Sequence, residues 1–473
     1  MDSRAAPAGL GPGRRAAPRR LEPTGAERVV GPRSRRATGQ PQPCRRGRAH
    51  PHPGSAGGAV GRSARRDGGE MTAAAAPTVR SRTLLMYAQD HRGLGHINRT
   101  LIIARQLLPA HPNAVAYIAT ESPIASNFTL PERCDYIKLP GRIVPAAMQQ
   151  TEADEAVSRE RFAQIRGSIL REAALGLTPD LVLVDHEPLG KAGEFRDGLY
   201  ALKARHPDTR FVFGLRDIMD DQAAIRALWR DLGVYDAFED LYDGIAVYGS
   251  PVLYDVADAY AIPASVRGKL HYCGPIVRDL PAVDPRELRR RHGLPARGRL
   301  LVATVGSGSD GYPVLDGVLA ALEHLREDLY AVLVTGPYMP ADQRANLQAR
   351  ATASWRVVPQ ADNLELMAAA DVVVGMGGYN SVYEALRVAR PLVIVPRATH
   401  KVEQRIRAEA VAAHGLARWV APAPLNEATL AAALKWALRQ DPDAHARRVR
   451  QVIPSFDGAA RLTAYLSRWL GGD

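Results

Sequence analysis

From Thr83 onward the chain alternates short, continuously apolar runs with helical patterns, and it does so in two successive series. The runs of the first series are 83–88, 114–119, 181–185, 210–214, 244–248 and 270–273, with helical stretches such as 97–108 and 159–175 between them. A strand that is apolar at every position has both faces covered, which is the condition of a parallel sheet wrapped by helices. The second series follows Asp284-Pro285, with runs at 300–305, 331–335, 355–358, 371–374 and 392–395 and helical patterns at 314–325, 364–369, 380–387 and 402–413. The segment 273–282, carrying Pro275 and Pro281, reads as the linker between them. The expected architecture is therefore α/β: two doubly wound parallel-sheet domains, 80–278 and 285–456, facing a cleft. Residues 457–473 should form a closing helix, with Leu462, Tyr465, Leu466, Trp469 and Leu470 on one face. Such sheets bind ligands outside the carboxyl ends of their strands, and two facing sites suit a reaction between two substrates.

The first 70 residues do not share this pattern. They hold 15 Arg against 5 acidic residues, 13 Gly, 9 Pro and no Ile, Phe, Trp or Tyr, too little apolar surface to offset the entropy of ordering them. We read 1–79 as a disordered Arg/Gly/Pro-rich extension. It is a solvated tail, an anion-binding arm, or an upstream stretch of reading frame with Met71 as the start, the last being favoured because Met71 lies just ahead of the first strand. Of the formal charge of +12, this end carries +10 and the rest +2, so the two sheets give no reason to expect a nucleic-acid partner. Cys44, Cys134 and Cys273 have no metal-ligand spacing and fit a reducing, cytoplasmic setting. No apolar run reaches the ~18 residues of a membrane span.

Four loops at strand ends carry chemistry. Gly93-Leu-Gly-His-Ile-Asn-Arg99 leads into a helix and puts His96 at the mouth of the sheet, where a neutral imidazole accepts a proton from an acceptor hydroxyl; a turn whose His caps the helix is an equal reading. Asp185 closes the run 181–185 and is a candidate to orient His96, although a helix N-cap or a solvated loop is the more ordinary reading of that strand end alone. Gly306-Ser307 opens the loop Gly306-Ser-Gly-Ser-Asp-Gly311, whose backbone N–H groups suit a phosphate. Gly375-Met-Gly-Gly-Tyr-Asn-Ser-Val-Tyr-Glu384 is the strongest. Its turn (Gly377, Gly378) opens a helix with Asn380 and Ser381 at the start, a ready anion site, and Glu384 one turn in suits the hydroxyls of a ribose. Ser381 and Glu384 also fit a capping box. Beyond the next strand, Glu403-Gln404 offers a carboxylate and an amide suited to sugar hydroxyls.

Gly-Gly-Tyr-Asn-Ser-x-x-Glu (377–384), then x-Pro-Leu-x-Ile-x-Pro (390–396), then Glu403-Gln404 resembles the donor-site signature of GT-B glycosyltransferases, most closely the MurG-like group (glycosyltransferase family 28), with kinship to UDP-glucuronosyltransferases. Gly95-His96 is similar to that group's early Gly-His turn. The resemblance implies two Rossmann-like domains, a nucleotide sugar in the second and an acceptor in the first. It implies Glu384 on the ribose, Asn380, Ser381 and the neighbouring backbone on the diphosphate, Glu403 and Gln404 on the sugar, and His96 as base or acceptor binder. It implies no divalent metal and no cofactor. Two positions depart from the relatives: Met376 stands where UDP-glucuronosyltransferases have a His, and Arg405 where MurG has a second glutamine.

The expected activity is inverting transfer of a sugar, from a UDP-sugar first, to an acceptor hydroxyl. A UDP-N-acetylglucosamine 2-epimerase-like isomerase and a non-catalytic nucleotide-sugar-binding subunit are the alternatives. The acceptor stays open among lipid-linked sugars, polysaccharides and small molecules. Ile143, Val144, Pro145, Ala146 and Met148 in the loop 141–156 permit peripheral membrane contact, although a loop packed under the sheet is the more ordinary reading.

Overall fold

The computed structural model describes residues 80–89, 95–123, 125–141, 152–280, 284–325, 329–398 and 402–471. The extension 1–79 and most of the loop at 141–156 lie outside the described residues.

The first sheet has seven strands: β1 (Arg82–Ala88), β2 (Ala114–Thr120), β3 (Cys134–Lys138), β4 (Leu181–Asp185), β5 (Arg210–Arg216), β6 (Gly244–Tyr248) and β7 (Leu270–Tyr272). Their order is β3-β2-β1-β4-β5-β6-β7 and every pairing is parallel. The second sheet, of six, holds β8 (Arg299–Thr304), β9 (Leu329–Val334), β10 (Trp355–Val358), β11 (Val372–Gly375), β12 (Leu392–Ile394) and β13 (Ala417–Trp419), in the order β10-β9-β8-β11-β12-β13, again all parallel. In both, the order reverses beside the first strand of the set, which opens a crevice at the carboxyl ends there. The reason is visible in burial: β4 and β6 are buried at all five positions, as continuous apolar runs require.

Two strands escape the apolar-run pattern. β3, Cys-Asp-Tyr-Ile-Lys, is an edge strand with no fully buried residue, and β13 is a three-residue edge strand with two exposed positions. Edge strands need no second apolar face.

The segment after β7 is not a free spacer. Cys273, Ile276 and Val277 are buried, and Ile276 N donates to the Tyr379 hydroxyl at 3.0 Å. The chain then returns: beyond the helix Pro442–Val452, the terminal helix Gly458–Leu470 packs on the first helix, Gly95–Ala110. There Leu462, Leu466 and Leu470 are buried, the Tyr465 ring stacks on His271 at 4.2 Å, and Ser467 Oγ meets His111 Nε2 at 2.8 Å. The two crossings touch each other. A Cβ on Gly458 would stand 2.3 Å from the Pro275 carbonyl, so only glycine fits that contact.

Candidate active site

The parallel register puts the carboxyl ends of β1, β4 and β5 side by side, Ala88 next to Asp185 and Asp185 next to Gly214. The helix Gly95–Ala110 starts over this edge, with His96 in its first turn and Arg99 one turn on, on the same side. His96 Nδ1 lies 2.8 Å from Asp185 Oδ2. Arg99 grips the same carboxylate with two donors, Nε to Oδ1 at 3.0 Å and the terminal nitrogen to Oδ2 at 2.6 Å. Asp185 and Arg99 are buried while His96 keeps some exposure. Burial alone would raise the Asp185 pKa, but Arg99 and then His96 outweigh it and hold the carboxyl at about 2. The His186 ring packs 4.6 Å from His96, and its backbone is left-handed at φ +70°, a conformation that non-glycine residues adopt at a cost.

The second sheet supplies the facing wall. β11 ends at Gly375, Gly377 turns the chain at φ +83°, and the helix Tyr379–Arg387 begins behind Gly378. A Cβ on Gly377 would meet the Gln404 carbonyl at 2.9 Å, whereas one on Gly378 would meet open space. Asn380 and Ser381 sit half-buried in the first turn. The capping-box alternative does not hold: the cap is Gly378, with no side-chain cap bond, because the helix starts two residues before Ser381. A Cβ on Gly95 would lie 3.8 Å from Asn380 Nδ2, so the starts of the two helices face each other at close range.

The other residues singled out in the sequence have partners. Glu384 is buried and accepts from Arg278 Nε at 2.7 Å, and Arg278 also pairs with Asp362 at 3.1 Å. Glu403 pairs with Arg216 from the first sheet. Gln404 Oε1 accepts from Arg397 N at 2.9 Å, fixing the turn after β12. Gly306 is left-handed at φ +64°, Ser307 O accepts from Tyr338 N at 2.8 Å, and Asp310 of that loop pairs with Arg397. Met376 turns into the second core. Nearby, Asp220 accepts from Val402 N at 2.9 Å, and Asp221 caps the next helix. Among the described residues no group of three or more His, Cys, Asp or Glu is arranged to hold a metal ion.

What the sequence did not announce is a second buried ion pair, between the sheets. Asp217, just past β5, takes Arg407 Nε at 3.0 Å and a terminal nitrogen at 2.8 Å, with both side chains buried. Arg407 also donates to the Gly377 carbonyl at 2.8 Å, and the Tyr383 hydroxyl donates to Asp217 at 2.9 Å. Tyr379 completes the junction: its hydroxyl donates to the Tyr248 carbonyl at 2.7 Å and its ring lies 5.3 Å from the Arg99 guanidinium. Asp217 and Arg407 are 190 residues apart, so no local window links them; Arg99, three residues after His96 on one helix, was the one visible signal.

Residues 302–460 match the glycosyltransferase family 28 C-terminal domain. An uncharacterised glycosyltransferase of Methanopyrus kandleri is 28% identical over 193 residues, 40% of this chain, and the match spans about half (52%) of that relative's length. Among solved structures, the glycotransferase of kitacinnamycin is similar at a TM-score of 0.59 and 19% identity, over 83% of this chain and all of that one. A UDP-glucosyltransferase of Polygonum tinctorium is similar at 0.60 and 13%, over 84% and 100%. MurG of Acinetobacter baumannii is similar at 0.53 and 16%, over 82% and 99%. The two parallel sheets, each with its strand order reversing beside its first strand, have the fold of the GT-B glycosyltransferases to which the chain is similar. Its second half is the part that matches the glycosyltransferase family 28 C-terminal domain.

Proposed function

We propose that the protein moves a sugar from a nucleotide-sugar donor, a UDP-sugar in the first instance, to an acceptor hydroxyl, with inversion and without a divalent metal. The observation that carries this reading is the confrontation of two helix starts. One bears the His96–Asp185 pair, and the other presents the N–H groups, Asn380 and Ser381 of the glycine turn, with Gly95 and Asn380 in near contact. A helix N-terminus stabilises the negative charge that gathers on a departing diphosphate. The acceptor oxygen attacks the anomeric carbon and gives its proton to His96 Nε2. The carbon–oxygen bond to the diphosphate breaks, and its electron pair leaves with the nucleoside diphosphate. Glu384 serves the ribose and Glu403 with Gln404 the sugar, which requires Arg278 and Arg216 to share those carboxylates with the donor or yield them.

The acceptor is bound on the first sheet and is a lipid-linked sugar, a polysaccharide or a small molecule; no helix among the described residues is long and apolar enough to cross a membrane. The test incubates the full chain with UDP-, dTDP- and GDP-sugars, with and without acceptors of each kind. Nucleoside diphosphate released only with an acceptor supports transfer. An epimerised sugar formed without one would replace this reading with the isomerase.

A further inference from the structure

The peptide that joins Gly377 to Gly378 lies at the start of the helix Tyr379–Arg387, and one guanidinium decides which way it faces. The Gly377 carbonyl accepts from a terminal nitrogen of Arg407 at 2.8 Å. Arg407 is fully buried, one turn into the helix Glu403–Ala413. A trans peptide is planar, with its C=O and N–H pointing opposite ways. Holding the Gly377 carbonyl on Arg407 therefore turns the Gly378 N–H away from the buried side. That side is packed: a Cβ on Gly377 would stand 2.9 Å from the Gln404 carbonyl and 3.1 Å from Ile394 Cγ2. Around Gly378 a Cβ would meet nothing within 4 Å. The guanidinium is needed for this orientation because a peptide flanked by two glycines has no Cβ of its own to stop it turning over.

Arg407 is itself aimed from the other sheet. Asp217, the residue after β5, takes its Nε at 3.0 Å and its other terminal nitrogen at 2.8 Å, and the Ile218 carbonyl takes that same nitrogen at 3.2 Å. With two arms of a planar fork fixed on the first sheet, the third has one direction left, onto the turn. Tyr383, on the helix that the turn opens, bonds the same carboxylate at 2.9 Å. Gly249 permits this approach, since a Cβ there would fall 2.9 Å from Asp217 Cβ. We propose that Asp217 and Arg407 are positioning residues of the donor site: they hold the Gly377–Gly378 peptide with its N–H presented to the phosphates of a nucleoside diphosphate. A bond from a cation to the carbonyl also polarises the peptide and strengthens that N–H as a donor. Because Asp217 belongs to the first sheet and Arg407 to the second, phosphate binding is coupled to the contact between them.

This rests on the glycine turn being the phosphate site, and the experiment separates the two. The full chain and its variants are titrated by calorimetry with UDP, dTDP and GDP and with the matching nucleosides, which lack the phosphates. The quantity read is the nucleoside Kd divided by the nucleoside diphosphate Kd. The main variant joins Asp217→Leu to Arg407→Met, which leaves no charge buried alone. Its ratio should fall roughly tenfold to a hundredfold, the worth of hydrogen bonds to a charged group, while nucleoside affinity holds. A merely structural role would weaken nucleoside and diphosphate alike and leave the ratio unchanged, which overturns the proposal. If the double variant does not fold, Arg407→Lys decides. An ammonium is a single point in place of a fork, so Asp217 stays paired and the Gly377 carbonyl loses its aimed donor. Here too the ratio should fall, and a ratio equal to the wild type overturns the proposal. A wild type that binds no diphosphate better than its nucleoside rejects the turn as the phosphate site, and the proposal with it.

Discussion

Replacing Asp217 by alanine removes the one carboxylate that, among the described residues, is bonded to the fully buried guanidinium of Arg407, and also removes the acceptor of the Tyr383 hydroxyl. Arg407 would keep its bonds to the Gly377 and Ile218 carbonyls, but these carry no compensating charge. Breaking a buried pair from one side costs about 3–5 kcal/mol, mostly through the stranded charge. The expected loss for Asp217→Ala is thus about 3–5 kcal/mol, read as a lower urea midpoint at unchanged slope. The double variant Asp217→Leu with Arg407→Met, which strands no charge and leaves only the Tyr383 hydroxyl without its acceptor, should recover part of it. The pH dependence has a definite sign. Burial pushes the Asp217 pKa up, but Arg407 outweighs it and leaves it below the ordinary 3.8. A lowered carboxyl contributes stability in full above its unfolded pKa and loses it as pH falls through the folded one. The gap between wild type and Asp217→Ala should therefore be flat from pH 7 down to about pH 5 and close only in stronger acid. A loss below about 1 kcal/mol, the worth of an ordinary surface pair, or a gap that already closes near pH 6, would refute the reasoning.

Three further outcomes are expected. Glu384→Ala should weaken UDP binding roughly tenfold to a hundredfold by calorimetry, the worth of hydrogen bonds to a charged group; unchanged affinity removes the ribose assignment. Gly214→Ala should destabilise by about 1–3 kcal/mol through overpacking, since its Cβ would fall 2.1 Å from the Tyr248 hydroxyl. Tyr248→Phe in the same chain should restore part of that loss, and no cost in the single variant would contradict the contact. Burial, and then Arg448, lower the pKa of His445 to about 4, while the unfolded chain takes that proton near 6.5. Stability should therefore fall as pH drops between these values, and His445→Asn should fall less steeply over the same interval; equal slopes would count against it.

The sheets were legible because a strand covered on both faces must be apolar along its buried run, as Leu181-Val-Leu-Val184 is before Asp185 closes it. β3 and β13 were not, because an edge strand such as Cys134–Lys138 satisfies its outer face with water and carries no such mark. The glycine turn at 375–378 was legible since its geometry demands glycine, Gly377 at φ +83° being the case in point. Asp217 and Arg407 look like any surface charges in sequence; only the folded junction makes them a buried pair. The partners of Glu384 and Glu403, Arg278 and Arg216, are hidden for the same reason. Local pattern records which backbone is needed, but not which distant charge will be brought to it.

The terminal helix Gly458–Leu470 follows the second sheet in sequence and covers the first in space. In engineering terms, the second-sheet half is inserted in its neighbour, entering near Gly274 and leaving near Gly458, two points in contact. A chimera that joins the first-sheet half of this chain to another second-sheet half must carry residues 458–471 with the first-sheet parent. Cut instead at a single point after residue 278, the first-sheet half would lose the helix that supplies Leu462, Leu466 and Leu470, each worth about 1.5–3 kcal/mol of burial. Recombination between relatives has to exchange this chain at two places together.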